Sequence, residues 1–314
     1  MNNPSKISVV FSVYNESESL PALFKEIRSL EKESDRIFEW IFVDDGSVDG
    51  SAAVIRNFCR DYSHAVNTVR FIRFSRNFGH EAAMIAGIDH ALGDAVICMD
   101  ADLQHPVSLI PLMAETFEKG YDIINMVRTG NEGTKVVQSW FSSAFYRFLN
   151  RISRQKIAEN ASDFFLISRP VADILKANFR ERNRFLRGLI QTLGFRNTTL
   201  SFKAPARIAG QTKYSLVKLV ALTAHAVVSF SNAPLFLGIW FGFFFSLISL
   251  VLGIYTVIVY LFGTEPPSGY TTIVLFLSLS FSILFFLIGI IGIYVGYLFE
   301  EQKKRPLYLV EELI

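Results

Sequence analysis

Between Lys218 and Glu265, and again between Glu265 and Glu300, the chain contains no Asp, Glu, Lys or Arg. Each gap exceeds the roughly 20 apolar residues that cross a bilayer, which predicts two membrane-spanning helices near residues 235–262 and 271–299. Lys303, Lys304 and Arg305 follow the second, Lys213 and Lys218 precede the first, and the GTEPPSG loop between them carries no positive charge. The positive-inside bias therefore places both flanks on the cytoplasmic side of an inner, cytoplasmic membrane. The opening MNNPSKISVVFSVYNE has neither the long apolar core nor the cleavage site of a signal peptide. The expected layout is a cytoplasmic head over 1–210, an interfacial juxtamembrane helix over 211–232, two transmembrane helices over 233–300 and a cytoplasmic tail over 301–314.

The head carries most of the charge. Of 31 basic and 29 acidic residues, three basic and five acidic ones lie beyond Lys218, leaving 28 against 24. That excess is too small to argue for nucleic acid, and it suits a surface facing anionic lipid. Cys59 and Cys98 agree with a reducing compartment, and neither has zinc or redox spacing.

Within the head, apolar runs of strand length alternate with helical periodicity. Strands are expected at Ile7–Val13, Trp40–Val43, Val69–Phe74, Ala95–Met99 and Asp122–Val127. Leu20, Leu23, Phe24, Ile27 and Leu30 repeat at helical spacing with Pro21 in a first turn, as do Val54, Ile55 and Phe58, a stretch from about Glu81, and Leu109, Leu112, Met113 and Phe117. This alternation implies an α/β fold, a mostly parallel Rossmann-like sheet covered by helices on both faces.

Polar clusters follow the carboxyl ends of these strands, where open α/β sheets bind ligands. They are Tyr14-Asn15-Glu16, Asp44-Asp45, Arg76-Asn77, Asp100-x-Asp102 and Arg128. In AVICMDADLQHP, residues two apart in an extended chain project to one side, so Asp100 and Asp102 can face one point. Two carboxylates at a strand mouth suit Mg2+ or Mn2+, which fills its shell with water and substrate phosphates. The alternative is a pair of solvated acids capping the next helix. No G-x-G-x-x-G and no G-x-x-x-x-G-K-[ST] is present, so a diphosphate would be held by metal and basic side chains.

VVFSVYNE, FVDDGSVDGS, RNFGHEAAMIAGI and MDADLQHP, in this order and spacing, resemble the family 2 glycosyltransferases of GT-A fold. With DFFLISR at 163–169, GQTKYS at 210–215 and two C-terminal spans, the chain is similar to their polyprenyl-phosphate branch across nearly its whole length. Ser12 departs from the family, which usually has proline there. The resemblance implies that Tyr14, Glu16 and Asp45 surround base and ribose, that Asp102 is the direct metal ligand with Asp100 beside it, and that Gln104 lies near the sugar or acceptor phosphate. Asp44 joins the donor site or serves turn and cap chemistry with Ser47. For His105, before Pro106, loop packing is favoured over a metal role.

From Thr129 to Arg207 periodicity weakens. Trp140, Phe141, Phe145, Phe148 and Leu149 line one helical face as core or membrane contact. Asp163 could orient an acceptor, act as a base or cap. Arg184 and Arg187 suit bidentate contacts to an acceptor phosphate, or an ordinary solvated face. GQTKYS resembles a loop closing over the diphosphate, with Lys213 as its charge. Residues 214–230 read as an interfacial helix in which His225 is merely tolerated.

The resemblance implies inverting, metal-dependent transfer of a hexose to a polyprenyl phosphate at the cytoplasmic membrane face. UDP-glucose and undecaprenyl phosphate are the expected substrates, GDP-mannose is the alternative donor, and a homo-oligomer is left open. A processive polysaccharide synthase is disfavoured, because none of Trp40, Trp140 and Trp240 stands in the Q-x-x-R-W setting. A silent membrane-tethered scaffold is disfavoured by the intact D-x-D and the basic loop.

Overall fold

The computed structural model describes residues 6–62, 66–129, 161–182, 186–203, 205, 233–262 and 269–314. They form two compact units, one of residues up to 205 together with 305–314, the other of residues 233–304.

In chain order the first unit contains β1 (Ile7–Val13), α1 (Leu20–Glu33), β2 (Phe38–Asp44), α2 (Ser51–Asp61), β3 (Thr68–Phe74), α3 (His80–His90), β4 (Ala95–Asp100), a 3-10 turn (Val107–Leu109), α4 (Ile110–Glu118) and β5 (Ile123–Arg128). It continues with β6 (Ala161–Ser168), α5 (Arg169–Asn178), α6 (Leu186–Thr192), β7 (Asn197–Phe202) and, at the end of the chain, β8 (Val310–Leu313). The eight strands form one sheet in the order β7-β5-β6-β4-β1-β2-β3-β8. β1 to β4 are mutually parallel, and β5 is parallel to β7. β6 runs antiparallel between β4 and β5, and β8 antiparallel along β3. The sheet is therefore mixed, with its parallel core where the alternation of sequence patterns predicts it.

Alternation along the strands divides the core in two. Ile7, Val9, Phe11 and Val13 of β1 pack into one cluster with α1, α2 and α4, whereas Val10 joins the other with α3, α5 and α6. Every residue of β1 and β2 is buried, because helices cover both faces of these central parallel strands. In α1, Leu20, Leu23, Phe24, Ile27 and Leu30 form the buried stripe that their spacing predicts. Each such side chain contributes roughly 1.5–3 kcal/mol by leaving water. α3 lies so close to β1 that a Cβ on Gly87 would sit 2.0 Å from Val10 Cγ1. Glycine is what permits that approach.

The last residues close the β3 edge. Phe71 and Ile314 exchange backbone hydrogen bonds at 2.9 Å, Ser75 N donates to Leu309 O, and Tyr308 stacks on Phe74 with ring centroids 5.0 Å apart. Periodicity gives no sign of this strand, since two of its four residues are glutamates.

The second unit contributes two long apolar helices, α7 (Ala233–Phe262) and α8 (Tyr270–Gln302). Among the described residues one stretch is long and apolar enough to cross a membrane, Leu279–Gln302 of α8, with mean hydropathy 2.4. In α7 the qualifying apolar stretch is shorter, Trp240–Tyr255. Phe281, Phe285, Phe286, Leu298 and Phe299 are exposed along α8. The face at 140–149, the GQTKYS loop and the expected helix at 211–232 lie outside the described residues.

Candidate active site

From β1 the chain winds outward to β2 and β3, then returns to place β4 on the other side of β1. That reversal is the switch point at which loops diverge and open a crevice beyond the carboxyl ends of the strands. Ser12 and Asp100 are register partners across it.

On the β1–β2 side, Gly46 adopts φ +68°, and a Cβ there would lie 2.4 Å from the Arg76 carbonyl carbon. The loop after β2 thus packs directly on the loop after β3. Asp45 fastens the two, its carboxylate accepting the amides of Phe78 at 2.6 Å and Gly79 at 2.9 Å. Burial raises the Asp45 carboxyl above its ordinary range, against the pull of those two amides. Asp44 is fully buried, accepts the Ser47 amide at 3.0 Å and faces Arg73 at 3.4 Å, so its visible chemistry is that of the turn. Ser47 Oγ accepts the Asn15 amide, Asn15 Oδ1 accepts the Val48 amide, and Ser51 Oγ accepts the Glu16 amide. Asn15 holds φ +57°, and Tyr14 before it has 46% of its surface exposed. The Glu16 carboxylate accepts the Ser19 hydroxyl at 2.7 Å.

On the β4 side, acids and cations interleave. Asp102 Oδ1 accepts the Gln104 amide, Leu103 between them takes φ +63°, and Gln104 Oε1 accepts from Arg128 at 3.1 Å. His105 is buried, with its ring stacked on Phe164 at 5.0 Å and its Nδ1 accepting the Asp100 amide at 3.0 Å. The packing role expected of it is what the structure shows. Burial, aided by Arg128 and His80, pushes this imidazole down to about 3, which keeps it a neutral acceptor.

His80, at the start of α3, joins the two sides. Its Nδ1 lies 2.9 Å from Ser12 Oγ, and its Nε2 lies 3.4 Å from Asp100 and 3.7 Å from Asp163. Asp163, on β6, also meets Arg187 of α6 at 3.5 Å. Glu81 accepts the Leu186 amide at 3.2 Å and so anchors the start of α6. Burial pushes the Asp100 carboxyl up to about 7; Asp163 and Asp102 push the same way, and His80 and Arg128 oppose them. Glu81 is likewise raised to about 7, by burial and then by Asp163.

His80 thus links Asp100 to Asp163, which pairs with Arg187, while Arg128 pairs with Gln104 and Asp102 lies in the same turn. Tyr14, Glu16, Asp44 and Asp45 line the neighbouring loops, while Lys213 and Arg184 lie outside the described residues. His80 and Glu81 escape a strand-end reading because they belong to a helix. RNFG ending at Gly79, with φ +103°, marks the turn that delivers them to the same rim.

The resemblance set out from the sequence implies a divalent cation. The donor set fits one: two hard carboxylates in a D-x-D turn, one of them forced toward its protonated form by burial and two neighbouring acids. A cation would relieve that crowding. Among the described residues no group of three or more His, Cys, Asp or Glu is placed to hold a metal ion. Mg2+ is typically held by one or two carboxylates with substrate phosphates completing the shell.

Acids and arginines are gathered at the switch point of an open α/β sheet, the place where such sheets bind ligands. The chain belongs to glycosyl transferase family 2, whose sequence profile matches residues 8–175, and it is a glycosyltransferase. It is 33% identical to glycosyltransferase YkcC of Bacillus subtilis (strain 168), over 99% of this chain and 95% of that protein. It is also 33% identical to bactoprenol glucosyl transferase of Shigella phage SfV, over 98% of each. Glucosyl-3-phosphoglycerate synthase from Mycobacterium tuberculosis overlays 71% of this chain and 78% of its own at 16% identity, with a TM-score of 0.45, a likeness too loose to bear on activity.

Proposed function

We propose that the protein transfers a hexose, glucose from UDP-glucose, to the phosphate of a polyprenyl lipid such as undecaprenyl phosphate, with inversion, at the cytoplasmic face of a membrane. The observation that carries this is the end-to-end similarity to a bactoprenol glucosyl transferase. The rim of acids and arginines at the sheet's switch point agrees with it, as does the apolar helix α8.

In this reading Tyr14, Glu16 and Asp45 surround base and ribose, and Asp44 holds the turn that presents them. Asp102, with Asp100 beside it, would hold Mg2+ or Mn2+, which when bound supplies Lewis acidity to the leaving diphosphate. Arg128 and Lys213 add positive charge to the same group, and Arg128 also fixes Gln104 beside the sugar. Arg187 and Arg184 meet the acceptor phosphate, a task suited to the planar guanidinium fork.

The acceptor differs from an alcohol in one respect that matters here. An alcohol must lose a proton as it attacks, whereas a phosphate monoester has a second pKa near about 6 and arrives ionised at neutral pH. Asp163, paired with Arg187, therefore orients the acceptor, and no general base is required of it. The interfacial segment at 211–232 and the two C-terminal helices, read as two spans, would keep the head where the lipid phosphate emerges.

The test is acceptor discrimination by the purified full-length protein with UDP-glucose and Mg2+. Undecaprenyl phosphate should be glycosylated and undecaprenol should not. Equal transfer to the alcohol would remove the basis for this reading, and transfer from GDP-mannose alone would reassign the donor.

A further inference from the structure

β8 is the outer edge of the sheet, yet its charges connect inward to the loop after β2. Across the strands, Asp44 of β2 is in register with Arg73 of β3, and Arg73 with Glu312 of β8. Asp44 Oδ2 and Arg73 Nε are both buried and form no hydrogen bond; they meet as an ion pair 3.4 Å apart. Arg73 Nη1 lies 3.4 Å from Glu311 of β8 on its other side. Arg56 of α2 grips Glu312, with its Nε and Nη2 each at 2.8 Å. The C-terminal strand therefore reaches both ends of residues 44–51: Asp44 through Arg73 of β3, and α2, which starts at Ser51, through Arg56.

What lies between those anchors is the loop that organises the β1 side of the crevice. Ser47 and Ser51 fix the amides of Asn15 and Glu16, and Asp45 fixes the turn at Phe78 and Gly79. A carboxylate with no exposure is costly unless a cation answers it. For Asp44 that cation is Arg73, and Glu311 draws on the same guanidinium from the surface.

We propose that β8 is a positioning element for the donor nucleotide, in which Glu311 and Glu312 set the placement of Arg73 and Arg56, and through them of residues 44–51. This rests on the reading of that loop as the donor site. None of the four residues is assigned contact with the nucleotide. Their loss should therefore weaken donor binding while the acceptor side, on β4, β6 and α6, keeps its geometry.

The experiment uses full-length protein carrying Glu311→Gln and Glu312→Gln together, which keep size and shape while removing the charges. The donor KM and the Kd for UDP should rise about five-fold or more, the scale on which a partly exposed ion-pair network acts. kcat at saturating donor and the acceptor KM should stay within two-fold. In a second series Arg73→Leu should reproduce the donor defect and Arg73→Lys should recover most of it. A merely structural strap would instead lower Tm and the yield of active protein at unchanged donor KM, and that result overturns the proposal. If the double variant does not fold, Glu311→Gln alone carries the same test, because Glu311 is half-exposed. Wild-type protein that binds neither UDP nor GDP would remove the donor reading and this inference together. Wild type and variant binding UDP equally would remove the inference alone.

Discussion

Replacing Glu81 with glutamine should stabilise the protein by an amount that grows as pH rises from 4.5 and is full above 7. The Glu81 carboxyl is raised from 4.5 to about 7, first by burial and then by Asp163, with the Leu186 amide, Arg187 and His80 opposing. Below pH 4.5 the group is protonated in both folded and unfolded chains. Between 4.5 and 7 the folded protein keeps a proton that the unfolded chain has released, so stability falls as pH rises, and above 7 the loss is complete. Going from 4.5 to about 7 corresponds to roughly 3 kcal/mol, at about 1.36 kcal/mol for each unit of pH between them. Glutamine has the same shape, cannot ionise, and keeps a carbonyl oxygen for the Leu186 amide. Glu81→Gln should therefore match wild type at pH 5 within about 1 kcal/mol and exceed it by up to about 3 kcal/mol at pH 8. For a domain of this size that is roughly 6–12 °C in Tm. Thermal unfolding of both full-length proteins in detergent, followed by tryptophan fluorescence at the two pH values, measures it. A Tm difference that does not change with pH, or a variant less stable than wild type at pH 8, would refute the reasoning.

Three further outcomes follow from the site. Asp102→Asn should lower turnover by about 100-fold or more in a protein that remains folded, since an amide is a poorer ligand for a hard cation; normal metal-dependent rates in the folded variant would falsify the ligand assignment. Asp163→Asn should impair transfer by a factor nearly constant from pH 7 to pH 9 at saturating donor, whereas a deficit shrinking steeply with pH would make Asp163 a general base. Gly46→Ala should destabilise by at least about 1–2 kcal/mol, the ordinary penalty of a left-handed backbone for an L-residue, and weaken UDP binding by displacing the Arg76 backbone. Denaturant titration and nucleotide titration on the same preparation check both parts.

The parallel core was legible in the sequence for a physical reason. Strands covered on both faces are mostly apolar along their length, so Ile7–Val13, the run ending in Asp44 and Ala95–Met99 announce themselves, and the polar residues after them mark the rim. The other strands lack that signature. β7, NTTLSF, leaves alternate residues partly exposed, and β8 carries two glutamates whose partners, Arg56 and Arg73, lie more than two hundred residues away. β6 lies antiparallel between two strands that precede it in the chain, a placement decided by tertiary pairing rather than by local pattern. Asp100 and Asp163 were each legible as acids, but what brings them together is His80, whose role depends on the positive φ of Gly79 and on the serine at position 12. Pairwise geometry of this kind is set by packing and leaves no periodic trace.

The most direct measurement follows the sugar itself. Purified full-length protein is incubated with radiolabelled UDP-glucose, undecaprenyl phosphate and Mg2+, and the mixture is extracted into organic solvent. The label should enter the lipid phase as a glucosyl phosphodiester of opposite anomeric configuration to the donor, and it should stay aqueous when the metal is chelated. Label released as free glucose, or joined to lipid with retained configuration or without need of metal, would contradict the account of this site.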